Sequence, residues 1–269
     1  MANEGQRFEF GKNWNKYLKV VSSANIIAAE DSLKNMLDVQ TLEGLTFLDV
    51  GSGSGIFSLA ARRLGARVYS FDYDDKSVAC TLSLKEKYYS QDENWIVHQG
   101  SVLDEVFVNS LGKFDVVYSW GVLHHTGDMW NALGNVIRFV DDGGILFIAI
   151  YNNQGWRSDL WLKVKQLYNG LPFFLRWMVV IPSLIRLRGP SLARGVLQFK
   201  LFSGGQKPQG RGMSVWHDVI DWVGGLPFEV ARPDEIFEFY SKHGFRLFKL
   251  KTCGGGHGCN EFVFRKDSA

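Results

Sequence analysis

A short apolar run, Thr46–Val50, delivers the chain into Gly51-Ser52-Gly53-Ser54-Gly55, and a helical pattern follows at once. Glycines at alternate positions allow a turn that residues with a Cβ resist, and they let backbone approach a ligand closely. The segment that follows, 54–64, carries Ile56, Ala60 and Leu64 on one helical ridge and stops at Gly65. The run 68–71 is the next strand, and Asp74 or Asp75 caps a helix to about Tyr89. Further strands are predicted at 95–99 and 114–120. Asp128 is placed to cap a helix with apolar residues at Met129, Leu133, Val136, Ile137 and Val140. Gly143-Gly144 break the chain before a fifth strand at 145–151. Strands alternating with helices predict an α/β fold, a parallel sheet covered on both faces. Right-handed crossovers make it a doubly wound, Rossmann-like sheet.

Charge divides the rest of the chain. Residues 152–212 hold ten basic residues and a single acid, Asp159, a net +9. All other residues together hold 20 basic and 27 acidic groups, a net −7. Within the basic segment Trp161, Val164 and Tyr168 form a helical ridge with Lys163 and Lys165 off it, 171–187 is apolar and helical between its prolines, and 203–213 is a loop. A helix at 233–243 closed by Gly244 and strands at 245–253 and 260–266 complete the chain. The expected organisation is an N-terminal helical lid (1–45), a ligand-binding core (46–151), a basic helical insertion or cap (152–212) and a C-terminal part of the core sheet (213–269).

The richest apolar stretch, Trp177 to Ile185, has nine residues and is interrupted by Pro182, well short of the ~20 that a spanning helix needs. Charges at Glu4, Arg7, Glu9 and Lys12 argue against a secretory signal, and three scattered cysteines argue for a reducing, cytoplasmic setting. Cys253, His257 and Cys259 match no zinc spacing, so no metal is expected.

The candidate ligand site lies where the strands end. Asp72 closes the second strand, where a carboxylate can accept both hydroxyls of a ribose. Tyr73 is placed to pack on an adenine face, and Ser101 and Val102 follow the third strand at the adenine edge. Trp120 ends the fourth, before Gly121-Val122-Leu123-His124-His125. A dinucleotide fingerprint would need glycine at position 56, which is Ile56, and that speaks against NAD.

Motif by motif, residues 46–151 resemble the class I S-adenosylmethionine-dependent methyltransferases. The resemblance implies a seven-stranded sheet with its last strand, 260–266, antiparallel. It implies S-adenosylmethionine as cofactor, held by Asp49, Gly51, Gly53, Gly55, Asp72, Tyr73, Ser101, Val102 and Trp120. Ser101 departs from the pattern, since many members carry Asp there. The remainder is more loosely similar to ubiquinone-type O-methyltransferases, which share a basic, apolar insertion after the fifth strand. The expected activity is methyl transfer to a small-molecule acceptor, anionic or lipid-linked. An RNA acceptor and a non-catalytic binding protein are the alternatives, although no RNA-binding module accompanies the basic segment.

Methyl transfer from a sulfonium is an in-line displacement, which needs positioning and, for a hydroxyl nucleophile, a base. His125 is either that base or a structural histidine bonding a loop carbonyl, while His124 points into the packing. Arg211, His217 and Asp218 form a second polar group that can bind substrate, Asp218 alternatively capping a helix. Trp14 and Tyr17 are read as substrate contacts in a lid, or else as cover for the outer core. The basic insertion either caps the site or makes peripheral contact with a membrane.

Overall fold

The computed structural model describes residues 21–197 and 215–268. Trp14, Tyr17 and Arg211 therefore lie outside the described residues, as do the side chains of His217 and Asp218, although their backbone lies on a helix.

Seven strands form one sheet: β1 (Thr46–Val50), β2 (Arg67–Asp72), β3 (Trp95–Gln99), β4 (Phe114–Trp120), β5 (Val140–Tyr151), β6 (Phe245–Lys251) and β7 (Cys259–Lys266). Their order is β3-β2-β1-β4-β5-β7-β6. The first five are parallel, and β7 runs antiparallel between β5 and β6. This is the doubly wound sheet with an antiparallel last strand that the sequence led us to expect.

Successive side chains on a strand point to opposite faces, and both faces here are covered. On one face Tyr118 stacks with Phe47 and with Phe57 of α2 (Ile56–Arg63) and meets Phe147 edge-on. Leu48, Val50, Val117, Leu146 and Ile148 join the opposite core, with α5 (Met129–Arg138) and α9 (Pro233–Lys242). Helix α1 (Ser23–Leu37) buries Ile26, Leu33 and Leu37, and its Glu30 pairs with Arg63 of α2 at 2.7 Å. Asp74 caps α3 (Asp75–Tyr89) by accepting from the Lys76 amide at 2.9 Å. A short α4 (Glu105–Ser110), absent from the sequence reading, is capped by Asp104.

Two local expectations are corrected. Gly143-Gly144 do not end the chain before β5, because the strand starts at Val140 and continues through them. Its register against β4 jumps from Phe114↔Val140 to Val116↔Ile145, a bulge that the left-handed Gly143 (φ +77°) allows. Asp128, at the start of α5, makes no side-chain cap. Glu229, 101 residues further on, performs that task.

A second compact unit, Gly155–Leu226, comprises α6 (Trp156–Gly170), α7 (Trp177–Leu197) and α8 (Val215–Gly224). Its own core gathers Tyr168, Val179, Val180, Val219 and Val223. Helix α8 thus belongs to this unit, and the return to the sheet begins at Pro227. Lys165, expected off the apolar ridge, is instead buried on the same face as Trp161 and Tyr168. Its ammonium lies 4.9 Å from the Trp222 ring and donates to the Trp222 carbonyl, which makes that burial tolerable. Arg176 stands over the Tyr168 ring at 5.2 Å. Among the described residues, no helix is long and apolar enough to cross a membrane.

Leu133 is fully buried on α5 among strands and α9, so Leu133→Ala should cost about 2–5 kcal/mol through lost burial and a cavity. Chemical denaturation should show a lower midpoint at unchanged slope.

Candidate active site

The carboxyl ends of the parallel strands carry the site. At the end of β1 the three glycines all adopt left-handed backbone: Gly51 at φ +80°, Gly53 at +56° and Gly55 at +78°. The Gly51 and Ser52 amides donate to the Phe71 carbonyl at 2.9 and 3.1 Å, which draws the loop towards β2. Gly53 N–H then donates to Asp72 Oδ2 at 2.9 Å. Asp74 N–H donates to the other oxygen at 2.9 Å. Gly100 N–H donates to the Asp72 carbonyl at 3.0 Å, bringing the end of β3 alongside.

Burial raises the Asp72 carboxyl to about 6, with the negative charge of Asp74 adding to the rise. The backbone amides of Asp74, Gly53 and Tyr73 offset part of it. Such a carboxylate suits neutral hydroxyl donors and repels phosphate. That is the fit expected for the ribose of a nucleoside.

The loop after β4 closes against this turn. A Cβ built on Gly51 would lie 2.4 Å from the Val122 side chain, so the missing methyl admits that loop. His125, on the 3-10 turn Leu123–His125, places Nδ1 2.6 Å from the Pro227 carbonyl. A carbonyl only accepts, so Nδ1 carries the proton and Nε2 is the basic nitrogen. His124 is fully buried, its ring 3.9 Å from that of Tyr151, as the inward reading expected.

The segment 227–231 holds this loop from outside. Glu229 N–H donates to the His124 carbonyl at 3.0 Å. Its carboxylate accepts from Gly127 N–H at 3.0 Å and from Met129 N–H at 3.1 Å, the cap that Asp128 does not make. Burial raises the Glu229 carboxyl, those two amides lower it, and Asp128 raises it again. Phe228 packs on Tyr151, with ring centres 5.4 Å apart. No local signal marks Glu229 in the sequence, because its partners are remote.

The remaining expected residues divide. Asp49 is buried and accepts from Ser58 Oγ at 2.5 Å. Ser58 accepts from Ser70 Oγ at 2.8 Å, and Ser70 from Trp95 Nε1 at 3.0 Å. This chain ties β1, α2, β2 and β3 together beneath the turn. Ser101 Oγ accepts from Leu103 N–H at 3.2 Å at the end of β3. Val102 is in the core, its carbonyl bonded by Asn135 Nδ2 at 2.8 Å. Tyr73 is half-exposed next to Asp72, and Trp120 ends β4. Among the described residues, no group of His, Cys, Asp and Glu is arranged to hold a metal.

Comparison with known proteins follows the same lines. The family profile described as "Methyltransferase domain" matches residues 26–177, more than half of the chain. The chain is 28% identical over 137 residues to a ubiquinone biosynthesis O-methyltransferase of Caulobacter vibrioides, covering 51% of this chain and 50% of that protein. A namesake from Brucella melitensis is 28% identical over 138 residues, 51% of each chain. The chain thus spans about half the length of the curated relatives it matches. Among solved structures, magnesium protoporphyrin IX methyltransferase from Synechocystis PCC 6803 with bound SAH superposes at TM-score 0.54 and 13% identity, over 90% of this chain and 83% of that one. A putative methyltransferase complexed with the Haloferax volcanii Trm112 activator superposes at TM-score 0.56 and 14% identity, over 98% of each. These structural likenesses show the fold.

Glu229→Ala leaves the Gly127 and Met129 amides without their acceptor, and should cost about 1–3 kcal/mol of stability. Thermal unfolding should place Glu229→Gln, which keeps one carbonyl acceptor, between wild type and Glu229→Ala.

Proposed function

Because this chain belongs to the class I S-adenosylmethionine-dependent methyltransferases, we propose that it methylates a small-molecule acceptor, anionic or lipid-linked. The observation that carries the reading is the abutment of the His125 loop on the left-handed glycine turn, whose Gly53 amide holds Asp72. One element can bind a nucleoside donor while its neighbour presents a base. The relatives are named for ubiquinone biosynthesis and for magnesium protoporphyrin IX, which supports an acceptor of small-molecule size. The ten cations of residues 152–212 support an anionic one. The small number and wide scatter of the cysteines, Cys80, Cys253 and Cys259, are in keeping with a cytoplasmic setting.

S-adenosylmethionine, when bound, supplies an electrophilic methyl for in-line displacement. Asp72 would hold the ribose hydroxyls, with Tyr73 and Ser101 towards the adenine. The bare α-carbons of Gly51 and Gly55 let Val122 and Thr81 close on the turn, whose left-handed backbone would then face the donor. His125 takes the proton of a hydroxyl nucleophile on Nε2, and the Pro227 carbonyl stabilises the resulting imidazolium through Nδ1–H.

Donor binding should follow the ionisation of Asp72. Hydroxyl donors favour the carboxylate, so affinity should rise with pH up to and through about 6 and level off above. Calorimetry with S-adenosylhomocysteine should find binding about tenfold weaker at pH 5 than at pH 7. Asp72→Asn should flatten that dependence and lose about one to two decades of affinity, as expected of a charged hydrogen bond. Tight binding of NAD with none of S-adenosylhomocysteine would overturn the reading.

Turnover of a labelled donor with fractionated metabolite extract identifies the acceptor. With it, His125→Ala should lower turnover about 10²–10⁴-fold while donor affinity holds. Near-normal turnover at neutral pH would leave His125 only its structural bond to Pro227.

A further inference from the structure

Helix α7 is apolar on more than one face, and its own unit covers only part of it. Val179, Val180 and Ser183 turn into the core, with Leu184 and Leu187 packed beside them. On the remaining surface Trp177, Met178, Ile181 and Ile185 are exposed, Ile185 to 65%. The turn just before the helix adds Phe173 at 86% exposure and Phe174 at 71%. Positions 177, 181 and 185 are each four residues apart and share one helix face. A helix of this kind, apolar beyond the stripe that its core needs, calls for a second apolar environment.

We infer that the surface formed by Phe173, Phe174, Trp177, Met178, Ile181 and Ile185 lies in the interface of an anionic lipid bilayer. Charge supplies the argument for this occupant. Residues 152–212, which bear the surface, have a net charge of +9, and Asp218 and Asp221 of α8 leave residues 155–226 at +7; exposed cations there include Arg157, Lys163 and Arg186. An anionic surface complements that distribution, and aromatic and aliphatic side chains can enter the acyl boundary below the headgroups. A nucleic acid would engage the cations and stack on the aromatic rings, but it would leave Met178, Ile181 and Ile185 in water. The inference is independent of the methyltransferase reading, and an acceptor drawn from the bilayer would be compatible with both.

Sedimentation with vesicles of equimolar phosphatidylglycerol and phosphatidylcholine tests it, alongside vesicles of phosphatidylcholine alone. The full chain should bind the anionic vesicles at 50 mM salt and bind the neutral ones at least about tenfold more weakly. High salt should weaken binding, as should Lys163→Glu combined with Arg186→Glu. The triple variant Phe174→Ser, Trp177→Ser and Ile181→Ser should lose about tenfold or more while keeping its affinity for S-adenosylhomocysteine. Where that variant does not fold, Phe173→Ser with Phe174→Ser, both on the exposed turn, gives the same readout. No binding at low salt, or binding unchanged in the serine variants, overturns the inference. So does concentration-dependent dimerisation that the serine substitutions abolish without vesicle binding in the wild type, which would assign the surface to a second copy of the chain. Loss of donor binding with vesicle binding intact would count against the methyltransferase reading alone.

Discussion

Three left-handed glycines at the carboxyl end of β1 hold the candidate site together. L-residues resist a left-handed backbone, and Gly51, Gly53 and Gly55 adopt it within five positions. The turn that results aims the Gly53 amide at Asp72. The bare α-carbon of Gly51 leaves room for Val122, and with it for the loop that presents His125. Asp72 and the loop that carries His125 are thus placed by one piece of backbone. The buried chain from Trp95 through Ser70 and Ser58 to Asp49 braces that piece from below.

Much of this was legible in the sequence, because buried parallel strands read as continuous apolar runs bounded by punctuation. The ends of β2, β3 and β4 fall at Asp72, Gln99 and Trp120, as expected, and these ends position the site. The start of β5 was not legible. A Gly-Gly pair looks like a break locally, whereas pairing with β4 carries the strand through it as a bulge. Lys165 misled for a similar reason: its charge suggests solvent, whereas the Trp222 carbonyl and ring, from 57 residues away, meet its buried ammonium.

The site itself divides along the same line. Asp72 and the glycines are recognisable because they stand at the ends of the apolar strand runs β2 and β1. For His125 the residues left two readings, base or structural ligand of a carbonyl, and the bond to Pro227 is common to both. Glu229 carried no signal at all. The local pattern offered Asp128 as the cap of α5, and the fold filled that role from a segment 100 residues distant.

The way the chain leaves and rejoins the sheet has a consequence for how such a protein can diversify. Tyr151 accepts from the Ala231 amide at 3.0 Å, and Ala231 accepts from the Asn153 amide at 3.0 Å. The two stems of the 155–226 excursion are therefore stitched to each other at its base, within the sheet-bearing unit. Once such a base is closed by its own bonds, lengthening or replacing what lies beyond it adds little closure entropy. The excursion then behaves as an exchangeable cassette. Substitutions beyond that base can change the cassette's composition and its outward surface without breaking the bonds that close the base.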